Sequence, residues 1–318
     1  MKTVAIIIVN WNSWELLARC LRALAKQTCQ DFSVTIIDNA STVPMPEHLL
    51  ADYPWAKLVF NSHNTGFAAA NNLAVLQHTE QTDWIALLNP DAFPEPDWLA
   101  QLLAATVAHP DCAVFASRQL SAGDPSRLDG DGDTYHMSGR AWREGHSFKV
   151  PPNSPAVADV FSPCAAAGLY RRSAFVEVGG FDEDFFCYFE DVDLGFRLQL
   201  AGYGCCLITT AVVHHLGSST TGGRHGDFAV YHGHRNLVWT YFKNMPGILF
   251  WVFLPLHLAI NLVTLVHHGR RPALILRSKR DALFGLPAML KKRRLIQRHR
   301  RTSIRSFWRI LDKRILPK

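Results

Sequence analysis

The sequence predicts an α/β chain: a mainly parallel central sheet flanked by helices, then an apolar and basic helical segment. Three observations carry this expectation. Over the first hundred residues, β-branched runs alternate with stretches of helical spacing, as in successive βαβ units. Each run ends in polar residues, and ligands of open α/β sheets gather at the carboxyl ends of the strands. Charge is also split along the chain: residues 269–318 hold 17 Lys and Arg against 2 acids, leaving 16 against 25 in residues 1–268.

The elements follow in order. "TVAIIIVN" (3–10) is a continuous apolar run closed by Asn10, as a strand buried on both faces would be. Apolar residues at 16, 17, 21 and 24 then repeat with helical spacing. "SVTIIDNAS" is a second strand ending at Asp38 and Asn39, and a helical stretch is expected before the third strand, "KLVFN" (57–61). The helix "FAAANNLAVLQ" (67–77) and the strand "WIALLNPDA" (84–92) complete this half. Past Pro110, "CAVFASRQL" reads as another strand, and residues 121–158, rich in Gly, Asp, Ser and Pro, as a long functional loop or ribbon. Regularity returns in "CAAAGLYRRSAFVEVGGF" and in the strand "CCLITTAVVHH"; local Gly, Ser and Thr enrichment marks 217–223.

Composition sets limits. A 318-residue chain with 48% hydrophobic content buries a substantial core, which excludes disorder of the whole. Residues 248–266 include no Asp, Glu, Lys or Arg, a length near the lower bound for a bilayer span of roughly 20 residues. Pro255, His257 and Asn261 interrupt it, so an interfacial or re-entrant helix is as consistent as a span or a buried core helix. With an Arg-rich segment behind it, it reads as attachment to an anionic membrane face. The opening "MKTVAIIIVNWN" has no secretory-signal pattern. Seven Cys without a C-x-x-C, two of them adjacent at 205 and 206, read as reduced cytosolic thiols.

Five constellations could carry chemistry. "LLNPDA" places Asp91 just past a strand, either as a turn former or, beside Asp38 and Asn39, as part of a ligand site. In "NTGFAAANN" the turn at Gly66 precedes a helix whose N–H groups suit phosphate. The chain lacks G-x-x-x-x-G-K-[ST], and its first turn lacks G-x-G-x-x-G, which disfavours nucleoside triphosphatases and dinucleotide dehydrogenases. "TAVVHHLGSST" ends a strand with His214 and His215; alternation points one inward, where an imidazole and a carboxylate would suit Mg²⁺ or Mn²⁺, or the two are plain surface imidazoles. "DGDGD" (129–133) imitates a calcium loop but has Thr134 and Arg140 where Gly and Glu are required, leaving a flexible acidic turn or an acceptor-holding segment. "FCYFEDVDLGFRL" sets Glu190, Asp191 and Asp193 among apolar residues: an outward polar flank of an amphipathic helix, or carboxylates beside a dry wall that tunes them for proton abstraction.

Taken together and in order, "VNWN", "IDNAS", "NTGFAAANN", "LLNPDA", "GLYRRSAFVEVGGFDEDFFCYFEDVDLGFRL" and "AVVHHLGSS" resemble the family 2 inverting glycosyltransferases of the GT-A fold, in particular the rhamnosyltransferase-like branch that builds bacterial cell-surface polysaccharides. The likeness covers roughly residues 3–240. It implies a nucleotide-sugar-binding half (1–110), an acceptor-binding and catalytic half (111–240) and a membrane-associating tail (241–318). It also implies a nucleotide-sugar site of Val9, Asn10, Asp38, Asn39, Asn64, Gly66, Asn71, Asn89 and Asp91. Asp91, ending the "NPD" that stands where the family has D-x-D, would hold a divalent cation, Mg²⁺ or Mn²⁺, with His215; His214 is the reserve. Asn89 in the first place of that motif leaves open how many carboxylates hold the ion. Asp191, the second acid of "ED", would be the catalytic base, with Glu190 positioning acceptor or base and Asp193 orienting the helix. Gly168, Gly180, Phe181, Asp182 and Arg235 would lie in the acceptor or donor-sugar region, and "YHGHRNLVWTYFKN" matches the branch's Arg-Asn.

The implied partners are a dTDP- or UDP-sugar, with dTDP-L-rhamnose the best match, a lipid-linked saccharide, and the anionic cytoplasmic face of the bacterial inner membrane, held peripherally or by a re-entrant segment. No nucleic acid is expected, because no reader motif accompanies the basic tail. A catalytically idle sugar-nucleotide-binding or scaffold protein is the competing reading.

Overall fold

A computed structural model of the chain describes residues 4–77, 82–217, 226–267 and 271–314. The expected Gly/Ser/Thr-rich stretch at 217–223 falls outside them except for Gly217. The first half follows the expected alternation: β1 (Val4–Asn10), α1 (Trp14–Ala25), β2 (Phe32–Asp38), β3 (Ala56–Phe60), α2 (Gly66–Gln77), β4 (Trp84–Leu88), β5 (Ala92–Pro94) and α3 (Trp98–Ala108). No helix joins β2 to β3: residues 47–52 form turns, because Pro44 and Pro46 withhold the N–H groups that a helix interior needs. The fourth apolar run stops pairing at Leu88; after Pro90 the chain resumes as β5, against a different strand.

The second half contributes β6 (Cys112–Ser121), the short strands β7 (Leu128–Gly130), β8 (Asp133–Tyr135), β9 (Ala141–Arg143) and β10 (Val157–Asp159), then β11 (Ala167–Arg171), α4 (Arg172–Glu177), α5 (Glu190–Leu200) and β12 (Gly204–His215). The segment 121–158 is therefore a ribbon, with β8 and β9 as its own two-stranded sheet. The tail is helical: α6 (Asp227–Asn244), α7 (Gly247–His267), α8 (Pro272–Arg298) and α9 (Ile304–Ile310).

One ten-stranded sheet runs in the order β10-β12-β6-β11-β4-β1-β2-β3 along its main path. Strands β4, β1, β2 and β3 are mutually parallel, β6 and β12 are parallel, and β11 is antiparallel between the two groups. Both faces are covered. α1 and α3 pack on one through Leu17, Leu21, Trp98 and Leu102, and α2 and α5 on the other through Ala70, Ala74, Leu194 and Leu198. That double cover explains the unbroken β-branched runs, since every side chain of β1 except Val9 is buried.

The cysteine reading needs correction. Cys112 and Cys206 form a disulfide with their Cα atoms 6.4 Å apart. They are remote in sequence, and the parallel pairing of β6 with β12 brings them within reach although they are not register partners, a juxtaposition that chain spacing cannot reveal.

The tail is sewn into this body. Phe307 of α9 is fully buried and stacks on Phe196 of α5 at 4.8 Å, with Phe161 and Tyr135 in the same cluster. In α7, His257 donates from Nδ1 to the Ser138 carbonyl (2.8 Å) and stacks on Tyr241 at 4.0 Å, and Phe253 stacks on Trp308.

Candidate functional site

The carboxyl ends of β1 and β4, the amino end of α2, the ribbon and the start of α5 enclose a cavity of about 840 Å³. Of the residues singled out from the sequence, Val9, Asn39, Asn64, Gly66, Asn89, Asp91, Glu190, Asp191 and His215 line it. Asp91 and Asp191 thus face one space from opposite halves of the chain.

On the first wall, Asp91 is 4% exposed, and its Oδ1 lies 3.3 Å from Nε2 of His215. The other imidazole nitrogen is fixed: Nδ1 of His215 meets Asp129 Oδ2 at 2.8 Å, and Asp129 is itself paired with Arg143. Burial would lower the His215 pKa, but Asp129 and Asp91 more than offset it and the group is raised. Burial likewise opposes ionisation of Asp129, yet His215, Arg143 and His146 bring its carboxyl down to about 2. His214 points to the other side and pairs with Glu95 at 3.0 Å, so strand alternation selects His215. A buried oxygen donor and an imidazole whose far nitrogen is held by a carboxylate fit a divalent cation of the Mg²⁺ or Mn²⁺ type. Among the described residues no cluster of three or more His, Cys, Asp or Glu forms a complete cage, so such an ion would need ligands from elsewhere.

On the opposite wall, Glu190 is 6% exposed and opens α5. Asp191 Oδ2 accepts from the Ala165 N–H (3.2 Å) and its Oδ1 from the Val192 N–H (2.8 Å). Burial raises both carboxyls; for Asp191 these amides and Arg143 hold the rise back, while for Glu190 the neighbouring Asp191 adds to it. The two carboxyls are therefore coupled, and burial with a neighbouring like charge opposes ionisation of Glu190 more strongly than that of Asp191. Glu190 and Asp193 are buried, so the outward polar flank is not what this helix presents. Asp193 does more than orient the helix: it sits in a buried ion cluster with Arg197, Lys243 and Asn244.

Several sequence expectations are corrected by position. The N–H groups at the start of α2 are already taken, those of Phe67 and Ala68 by the Phe186 carbonyl and that of Gly66 by Asn64 Oδ1, so this turn is not an open phosphate seat. Asn10 and Asp38 bond to each other at 3.0 Å behind the wall, and Asn71 bonds within its own helix to the Phe67 carbonyl. Gly168 lies inside β11, Gly180 abuts Asn72, Phe181 is core, and Asp182 pairs with Lys243 and Lys292. Arg235 donates to the carbonyls of Asp184 and Phe185. None of these lines the cavity; Gly180 to Asp182 and Arg235 build the approach to α5 instead.

Sequence reasoning passed over Trp142 and Arg143, and weighed Asp129 and Asp133 only within a flexible acidic turn or an acceptor-holding segment. "DGDGD" held the signal: Asp133, Trp142 and Arg143 line the cavity and Asp129 anchors His215. What read as a loose acidic turn is part of the site, because β7 pairs with β6 and carries Asp129 alongside the end of β12.

Against known proteins, a family model described as glycosyl transferase family 2 matches residues 5–179. The N-acetylglucosaminyl-diphospho-decaprenol L-rhamnosyltransferase of Mycobacterium tuberculosis is 31% identical over 244 residues, covering 68% of this chain and 76% of the relative. The rhamnosyltransferase WbbL of Escherichia coli is 32% identical over 151 residues, 43% of this chain and 55% of the relative. Among solved structures, the mannosyltransferase PcManGT of Pyrobaculum calidifontis, in complex with GDP-Man and Mn²⁺, has a TM-score of 0.56 at 17% identity, over 92% of this chain and 86% of its own. GalNAc-T7 with UDP, GalNAc and Mn²⁺ has a TM-score of 0.60 at 16% identity, over 76% of this chain and 48% of its own. At such identities these two structures establish the shared GT-A fold alone.

Proposed function

The chain belongs to glycosyl transferase family 2, and from that premise we propose that it transfers L-rhamnose from dTDP-L-rhamnose, with inversion, to a lipid-linked saccharide. The observation that carries this reading is the single cavity lined by both Asp91 and Asp191, with His215 beside Asp91. The names of the two rhamnosyltransferase relatives support the sugar, and that of the mycobacterial enzyme supports a polyprenyl-diphosphate-linked acceptor.

Asp191 acts as general base. It takes the proton of the acceptor hydroxyl as that oxygen attacks the anomeric carbon from the face opposite the leaving diphosphate. Such help is worth about 10²–10⁴-fold, or about 2.7–5.4 kcal/mol of barrier. Glu190, whose ionisation burial and Asp191 oppose, limits the negative charge in the same pocket. Its Oε2 is buried and has no hydrogen-bond partner among the described residues. Asn39 and Asn64, bonded to each other at 2.9 Å, hold the nucleoside side of the cavity. Asp91 and His215 would hold a Mg²⁺ or Mn²⁺ ion, which when bound neutralises charge on the departing diphosphate. The aromatic rim of Phe186, Tyr188, Phe189 and Phe228 limits water and so donor hydrolysis.

The tail holds the enzyme at an anionic membrane surface. One stripe of α7 packs on the body through Phe250, Phe253 and His257, while Ile248, Trp251, Val252, Leu258, Leu262 and Val263 face outward. With one side occupied by protein, α7 suits lying in the interface better than crossing the bilayer. Nearby basic residues add about 1 kcal/mol each where well placed.

Transfer of labelled rhamnose from dTDP-L-rhamnose to a polyprenyl-diphosphate-linked saccharide, with Mn²⁺ present, tests the reading. It should fall about 10²–10⁴-fold in Asp191→Asn with folding intact. Undiminished transfer would remove Asp191 from the base role, and failure of dTDP-sugars to bind in a panel of nucleotide sugars would remove the donor.

A further inference from the structure

The loop that delivers Glu190 and Asp191 is held in an unusual backbone conformation. Phe186, Tyr188 and Phe189 have φ of 64°, 66° and 67°, the left-handed region that side-chain-bearing residues rarely occupy. Such conformations persist only where the surroundings over-determine them. Here the surroundings are named. Asn236, fully buried on α6, donates through Nδ2 to the carbonyls of Phe185 (3.0 Å), Cys187 (3.0 Å) and Tyr188 (2.7 Å). Its Oδ1 accepts from Nε of Arg235 (2.9 Å). A guanidinium cannot accept, so this bond fixes the amide with its N–H groups toward the loop. Arg235 also donates through Nη2 to the carbonyls of Asp184 and Phe185, with its guanidinium 4.2 Å above the Trp239 ring. From the other side, the amino end of α2 holds the Phe186 carbonyl through the N–H groups of Phe67 and Ala68.

We propose that Asn236, oriented by Arg235, is a positioning residue: by gathering the carbonyls of residues 185, 187 and 188 it holds the left-handed loop that sets Asp191 at the cavity wall. Neither side chain lines the cavity. Their effect passes through the backbone, and Phe189 in the left-handed conformation is the residue that caps α5. The proposal gives the sequence pair Arg-Asn a physical task, and it rests on the reading of Asp191 as base.

Asn236→Asp preserves size, removes both donors and sets carboxylate oxygens against three carbonyl oxygens. A displacement of about 1 Å at a reacting group can cost roughly 10²-fold, so kcat should fall about 10- to 100-fold while KM for dTDP-L-rhamnose stays within about twofold. In an Asp191→Asn background the same change should cost nothing further. Equal losses in both backgrounds, an unchanged kcat, or a loss confined to KM would overturn the proposal. Should Asn236→Asp fail to fold, Arg235→Lys, which keeps the charge but loses the Nε contact to Asn236, is read by the same criteria. Should Asp191→Asn alone retain full transfer, the base reading falls. The grip on the loop is then judged by amide hydrogen exchange at residues 187–190, which must speed up about tenfold in Asn236→Asp; unchanged exchange refutes it.

Discussion

Lys243→Met is the most quantitative test of how the site is held. The Lys243 ammonium is 2% exposed and lies 2.5 Å from Asp182 Oδ2 and 2.8 Å from Asp193 Oδ1, tying α6 to α5 and to the loop before it. Removing one partner of a buried ion pair costs about 3–5 kcal/mol. Each carboxylate here keeps a second cation, Arg197 for Asp193 and Lys292 for Asp182, which places the loss near about 3 kcal/mol. At about 2–4 °C per kcal/mol for domains of roughly 150–250 residues, and less for a longer chain, Tm should drop by about 6 °C in thermal melts followed by circular dichroism at neutral pH. The pH dependence has a definite sign. Burial would raise the Asp182 carboxyl, but Lys243 and Lys292 reverse this and leave it depressed. Its stabilisation is therefore present above the unfolded-state value of about 3.9 and is lost as pH falls through the folded value. The gap between the two proteins should narrow once pH drops below about 4. A Tm within about 1 °C of the parent, or a gap that widens on acidification, would show that the cluster does not hold these elements together.

Glu190→Gln should keep kcat within about tenfold at neutral pH, against the 10²–10⁴-fold loss for Asp191→Asn; equal losses would end the division of labour between the two acids. Because the Glu190 pKa is raised by burial and by Asp191, its contribution to stability is full below its unfolded-state value and is lost as pH rises through the folded one. The Tm of Glu190→Gln should therefore gain on that of the parent as pH rises above the unfolded-state value of about 4.3, and a constant difference would refute this. Gly66→Ala should lose donor binding and stability together: φ is +83°, and a Cβ there would lie 2.6 Å from the Phe186 ring, so an unperturbed variant would mean the loop does not press on α2. Trp251→Glu, at a position 66% exposed on α7, should weaken sedimentation with phosphatidylglycerol vesicles without altering Tm; unchanged sedimentation would move the membrane contact elsewhere.

The fold was legible wherever periodicity and burial agree. The runs of β1, β2 and β4 are apolar because helices cover both sheet faces, and their polar ends read directly as one edge of a cavity. Asp91, His215 and Asp191 were singled out by their places in the motifs that resemble the family, and all three line the one cavity. What stayed hidden depends on contacts remote in sequence. Asp129 becomes the partner of His215 only because a three-residue strand, β7, pairs with β6. The disulfide needs β6 beside β12. Arg235 and Asp182 were drawn to the sugar region by their place in the motif, whereas their hydrogen bonds serve the backbone before α5. The stretch between β2 and β3, expected to be helical, forms turns after Pro44 and Pro46, which lack the N–H donors of a helix interior.

Phe307 bears on how such a protein can be handled. Cutting the chain after α6 to shed its greasy, cationic end would also strip the ring that covers Phe196 and Phe161, laying bare the flank of the very helix that starts with Glu190 and Asp191. A shortened version would exchange one sticky surface for another, so solubility is better sought by recolouring the outward stripe of α7 than by amputation.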